Sequence, residues 1–149
     1  MRGAEDIVSR NPTDELVRKD GSRITLQEIF ERVKVIEPGI IHFHEVGHAT
    51  PEALAVFGEQ IHHMSSDFDR FVLIVDLTDS TYPDSDYREV LVEWMRAQRC
   101  FHQCFVPPEG TAQRVTLRFM VDRAGISMTY HSNLEEAIEH AREALKAAK

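Results

Sequence analysis

The sequence predicts an α/β domain with a mixed, mostly parallel sheet of about four to five strands and about four helices. Residues 71–77, FVLIVDL, are almost all apolar and rich in β-branched side chains, too short for a helix and without a polar face. Such a run reads as a strand buried on both sides at the middle of a sheet. From residue 50 onward, segments of helical periodicity alternate with short strand-like runs, the pattern of parallel strands joined by crossover helices. The chain has 149 residues, which suits one domain burying roughly 70 % of its unfolded surface.

Residues 1–28 read as an arm or added hairpin ahead of the domain at 29–149. Residues 1–14 are polar and aperiodic and predict a loose arm, whereas ELVRKDGSRITL has a strand-turn-strand pattern in which Asp20-Gly21 suits a type I′ turn. Strands are expected near 29–36 and 40–47, parted by the turn Pro38-Gly39, with IIHFHEVG alternating apolar and polar. Thr50-Pro51-Glu52 starts a helix, with Thr as N-cap, Pro at the first helical position and an acid in the first turn. Its apolar face is Leu54, Phe57, Ile61 and Met64.

Beyond the central strand a polar turn, Thr78 to Asp84, leads into a helix whose inward stripe is Tyr87, Val90, Leu91, Trp94, Met95 and Gln98. Asp84, Ser85 and Asp86 can each cap it. FHQCFV, residues 101–106, reads as a short strand closed by Pro107-Pro108. Residues 109–125 read as a helix with Val115, Phe119, Met120 and Ala124 inward and Gly125 as its stop, although VTLRFMV within it equally fits a strand. Ser127 to His131 is a last strand, and Ser132-Asn133-Leu134-Glu135 reads as a capping box opening a helix on Leu134, Ala137, Ile138, Ala141 and Leu145.

Composition narrows the function. Acidic residues outnumber basic ones by 25 to 17, a formal charge of -8, which argues against nucleic acid, whose affinity rests on phosphate neutralisation. No apolar run approaches the ~20 residues of a membrane span, so a cytoplasmic protein without anchor or secretory signal is expected. Cys100 and Cys104 are the only cysteines, and a disulfide framework is not indicated. The chain has no Gly-rich phosphate loop and no nucleophile elbow, so the expectation is a non-enzymatic protein with no cofactor.

His42 and His44 fall on one strand face, with His48 just beyond, and imidazoles at alternate strand positions are a metal-ligand arrangement. Ile41 and Phe43 take the other face, so the pair equally fits the less buried side of a sheet, and Glu45 has the wrong parity to join it. Cys100, His102 and Cys104 straddle the predicted end of a helix and start of a strand, and as small hydrophobes the cysteines need no further role. Asp76, at the end of a buried strand, lacks the partners of a phosphoacceptor aspartate: Pro83 lies seven residues beyond it, no acidic pair follows the earlier strand, and Pro107-Pro108 has no preceding Lys.

Asp76-Leu77-Thr78, then Asp84-Ser85 opening a helix, Gly47 in EVGHATPEALAVF, and YHSNLEEAIEHA near the end together resemble the STAS domain. That is the fold of bacterial anti-sigma factor antagonists and of the cytoplasmic ends of sulphate transporters. The likeness spans about residues 29–146. It implies a regulatory domain acting through protein–protein contact, with an anti-sigma factor or kinase as partner and Ser85 at the position phosphorylated in the antagonist branch. The implied contact residues are Asp76, Thr78, Asp79, Ser80, Asp84, Ser85, Asp86, Tyr87 and Arg88. The family continues with Ser-Gly-Leu-Gly where this chain has Asp86-Tyr87-Arg88-Glu89, so carboxylates and a bulky ring stand where glycine would admit a partner's backbone. Two other readings are a small-ligand or metal-sensing domain using His42 and His44 with the same loop, and a homo-oligomeric scaffold.

Overall fold

The computed structural model describes residues 11–81 and 83–148. Along them run β1 (Glu15–Val17), β2 (Arg23–Thr25), α1 (Leu26–Glu31), β3 (Val33–Glu37), β4 (Ile40–His44), α2 (Pro51–Ser65), β5 (Val72–Asp76), α3 (Ser85–Ala97), β6 (His102–Val106), α4 (Thr111–Ala124), β7 (Met128–Tyr130) and α5 (Leu134–Ala147). The fold is α/β, a five-stranded mixed sheet in the order β3-β4-β5-β6-β7 with β1 and β2 as a separate antiparallel pair. β3 runs antiparallel to β4, and every later pairing is parallel.

β5 is the central strand, and all five of its residues are buried. Strands added in sequence order by right-handed crossovers place their connecting helices on one face. The main core accordingly joins Ile41, Phe43, Leu73, Val75 and Phe105 of the sheet to Leu54, Phe57, Leu91, Trp94 and Leu117 of α2, α3 and α4. Alternate strand residues, Ile40, Val72, Ile74, Cys104 and Val106, point the other way and meet Ala137 and Ala141 of α5. Among the described residues no helix is long and apolar enough to cross a membrane.

Several local expectations are corrected. Residues 26–31 form α1 rather than the start of a strand, opened by a capping box in which Thr25 and Glu28 bond each other's backbone N–H. β4 ends at His44, not at 47, because the chain turns out of the sheet to cross toward α2. The β1–β2 turn is not type I′. Among the described residues His48 is the sole non-glycine with positive φ, so Asp20 cannot occupy the left-handed position that turn needs. Instead Gly21 at φ 87 ends a three-residue loop, with Gly21 N–H donating to Arg18 O at 2.9 Å and Arg18 N–H to Ser22 O at 2.7 Å.

Residues 111–124 are helical, but their inward stripe is Leu117, Met120, Val121 and Ala124. Val115 and Phe119, expected inside, are 48% and 68% exposed. Both stripes satisfy helical spacing, and only contact with α3 and the sheet chooses between them. In α3 the buried positions include Val92, while Val90 is exposed and Gln98 is the C-cap. The last helix is capped one residue later than expected, by Asn133, whose side chain accepts from Glu136 N–H. Glu136 reaches back to Ser132 N–H at 3.2 Å. The arm expected over residues 1–14 lies, up to residue 10, outside the described residues.

Trp94 sits between the sheet and α2, its ring 5.0 Å from that of Phe43 and its Nε1–H donating to Leu54 O at 3.0 Å. Gly58 of α2 leaves room for it, since a Cβ there would stand 2.9 Å from Trp94 Nε1. An alanine in mid-helix ordinarily stabilises by roughly 1 kcal/mol over glycine. Here Gly58→Ala is expected to destabilise instead, by about 1–3 kcal/mol, read as a lower urea midpoint with blunted tryptophan fluorescence change.

Candidate functional site

Parallel strands that end level with one another leave their carboxyl ends as a ledge for loops. Here His44 is in register with Asp76, and the loops beyond the two strands are tied together on both faces of the sheet.

On the α5 face, Asp76 turns its carboxylate back onto its own loop. One oxygen accepts from Thr78 N–H at 3.1 Å and Thr78 Oγ1 at 2.7 Å; the other accepts from His42 Nε2 at 2.9 Å. Burial pushes the Asp76 pKa up, but the bonds from His42 and Thr78 outweigh it and bring the group down to about 2. His44 stacks on His42 with ring centroids 5.8 Å apart, and its Nε2 lies 3.0 Å from Asp79 Oδ2. Arg32, the C-cap of α1, donates to the carbonyls of His44 and Glu45 at 3.4 and 3.2 Å and lies 3.5 Å from Asp79. The histidine pair and the start of the loop after β5, which the sensor reading joined in one site, are one hydrogen-bonded assembly.

On the opposite face stands a residue that sequence reasoning passed over. Glu45 is 3% exposed, and its carboxyl accepts from Ser80 Oγ at 2.5 Å and from Tyr87 OH at 2.6 Å. Burial pushes the Glu45 pKa up against those two bonds, and burial beside Glu45 keeps the Tyr87 hydroxyl protonated. The parity that excluded Glu45 from the histidine face is what aims it at α3. The two loops also touch through their backbones. A Cβ at Gly47 would lie 3.0 Å from Asp79 O, and His48 N–H donates to Thr81 Oγ1 at 3.0 Å.

α3 begins at this ledge. Asp84 is its N-cap, accepting from Tyr87 N–H at 2.8 Å, and its other oxygen meets Lys19 Nζ at 2.6 Å. Lys19 arrives on the β1–β2 turn, which docks through Lys19 N–H to His48 O at 2.8 Å. Ser85 is therefore the first helical residue rather than the cap, and it is exposed. Asp86, Thr78 and Asp79 are also exposed, Ser80 and Arg88 half-buried, and Asp76 and Tyr87 buried. A cavity of about 100 Å³ lies between the turn and the helix, lined by Lys19, Glu45, His48, Thr81, Asp84 and Tyr87.

His48 does not join His42 and His44. It takes a left-handed backbone and turns toward Asp20, 3.8 Å away. Among the described residues no three His, Cys, Asp or Glu side chains are grouped to hold a metal ion. Cys100 packs against the main core and Cys104 against the α5 face. Burial pushes their thiols up to about 12 and about 11, so neither supplies a thiolate at neutral pH.

Fold and site together define an α/β domain carrying a preformed polar ledge at the carboxyl ends of β4 and β5. Compared with models of known protein families, with curated proteins and with solved structures, the chain matches none of them.

The two buried carboxyls respond to pH in opposite senses. Asp76 has a folded pKa of about 2, below the ~3.9 of an unfolded aspartate. Its contribution, on the order of 2 kcal/mol, is complete above pH ~4 and lost as pH falls toward 2. Asp76→Asn should lower the urea midpoint at neutral pH and flatten the wild-type decline across that acid window. Glu45 has its folded pKa raised, so the folded state is penalised as pH rises past the unfolded value of ~4.3. Melting curves across pH should show Glu45→Gln gaining on wild type as pH increases; a constant difference would place the Glu45 carboxyl's ionisation outside the stability balance.

Proposed function

We propose that the chain is a STAS-like regulatory domain, non-enzymatic, that binds a protein partner at the ledge formed by residues 78–88. The observation that carries this reading is the state of Ser85. It stands exposed in the first turn of α3 while Asp84 does the capping, so its hydroxyl has no structural duty to give up. Element order adds support: an antiparallel pair, then parallel strands alternating with helices, with the Asp76 loop and Ser85 at the carboxyl edge.

The start of the ledge, residues 78–80, is suited to recognition because it is tied on both sides. Asp76, His44 and Arg32 grip it from one side and Glu45 from the other, so little ordering remains to oppose binding. Phosphorylation of Ser85 would add a charge of about -1.5 to -2 at the helix N-terminus. Asp84 and Asp86 already flank that position, so the modified surface becomes strongly anionic and the docked partner is released. The partner fitting this reading is an anti-sigma factor or its kinase.

A pull-down from the native host with wild type, Ser85→Ala and Ser85→Asp tests the switch. The alanine variant should retain the wild-type partner and the aspartate variant should lose it by about tenfold or more, a difference of roughly 1.4 kcal/mol. Equal retention by both variants would leave a constitutive binder with no switch at Ser85.

A further inference from the structure

At the far edge of the α5 face three histidines from three different segments come together. His102 opens β6, His131 follows β7 and His140 lies on α5. The His140 ring is 5.4 Å from that of His102 and 4.9 Å from that of His131. The two sheet-side rings are linked through hydroxyls: His102 Nδ1 to Ser127 Oγ at 2.8 Å, His102 Nε2 to Thr129 Oγ1 at 3.0 Å, and Thr129 Oγ1 to His131 Nε2 at 2.7 Å. Thr129 Oγ1 also reaches Cys104 Sγ at 3.9 Å, and its one proton and two lone pairs allow one neutral ring to donate to it while the other accepts. The chain is satisfied with both rings neutral.

We propose that this cluster is an acid-operated release for α5. Each of the three rings is half-buried, and two imidazolium rings ~5 Å apart repel strongly at partly desolvated sites. The neighbouring groups offer little relief. From α5, Glu136 faces His131, but its carboxylate is bonded to Ser132 N–H and shares its cleft with Arg114 of α4. From β6 comes Cys104, whose thiol burial keeps uncharged, and from β5 the apolar Val72 and Ile74. Burial and the adjacent His140 both hold His102 and His131 below the usual histidine range, so acid favours the state in which the rings separate.

α5 meets the sheet chiefly through small or partly buried side chains, with Arg142 paired to Glu37 at 2.9 Å at its far end. Only Ala137 and Ala141 of it are fully buried, with Leu134, Ile138 and Leu145 partly so. Its release would uncover Ile40, Val72, Ile74, Cys104 and Val106, a continuous apolar strip.

Hydrogen exchange of the full chain between about pH 7.5 and 5.5 tests this, with rates corrected for intrinsic pH dependence. Peptides covering residues 134–147 should open about tenfold or more on acidification relative to those of α2. His140→Gln should remove most of that response, and His62→Gln, on the exposed side of α2, should leave it intact. If His140→Gln does not fold, His131→Gln takes its place. Exchange of α5 that ignores pH, or an acid response unchanged in both cluster variants, would overturn the proposal.

Discussion

The bond between Asp76 and its own loop is what the rest of the site depends on. A parallel strand ending in the middle of a sheet must turn its chain sharply while leaving no buried backbone group unpaired. Asp76 does this by accepting from Thr78 twice and from His42 once. That closure sets Asp79 beside His44 and Arg32, and Ser80 over Glu45.

The sheet uses its two faces differently. The face under α2, α3 and α4 is a large aromatic and aliphatic core, with Phe43 packed against both Phe57 and Trp94. The other face is covered by one helix, through two buried alanines and partly buried leucine and isoleucine side chains, and its outer parts are histidines, hydroxyls and Asp76. Polar side chains survive there because each finds a partner across a strand or along a loop, as buried polar groups must. Stability thus comes mainly from one side of the sheet, and the pH-responsive chemistry lies at its carboxyl edge and on the other side.

Much of the fold was legible in the residues. β5 announced itself by a run with no polar face, and α2 by Thr50-Pro51-Glu52, where Thr50 does accept from Ala53 N–H. α1 was hidden because six residues are too few to show helical periodicity, though Thr25 and Glu28 at capping-box spacing were a usable signal. In α4 the sequence carried two competing stripes, and the exposed Phe119 lay on the more aromatic one. For the site, the Asp76 loop and the His42–His44 pair were each visible and could be set in one site, but the bond from His42 to Asp76 was not legible, because 34 residues separate the two.

By itself, the sequence determined β4, α2, β5, α3, β6, β7 and α5 as strands and helices, since burial on one or both faces leaves a period that local spacing records, whereas residues 111–124 fitted a helix and a strand alike. It also marked the mouth of α3, because only capping residues suit that position. Tertiary structure alone decided which of those caps would serve, freeing Ser85 by choosing Asp84, and it alone brought Glu45 to Tyr87 and His140 to His102 and His131. Such pairings depend on how strands order and register across the sheet, and that order arises from packing between distant segments, which no local pattern encodes.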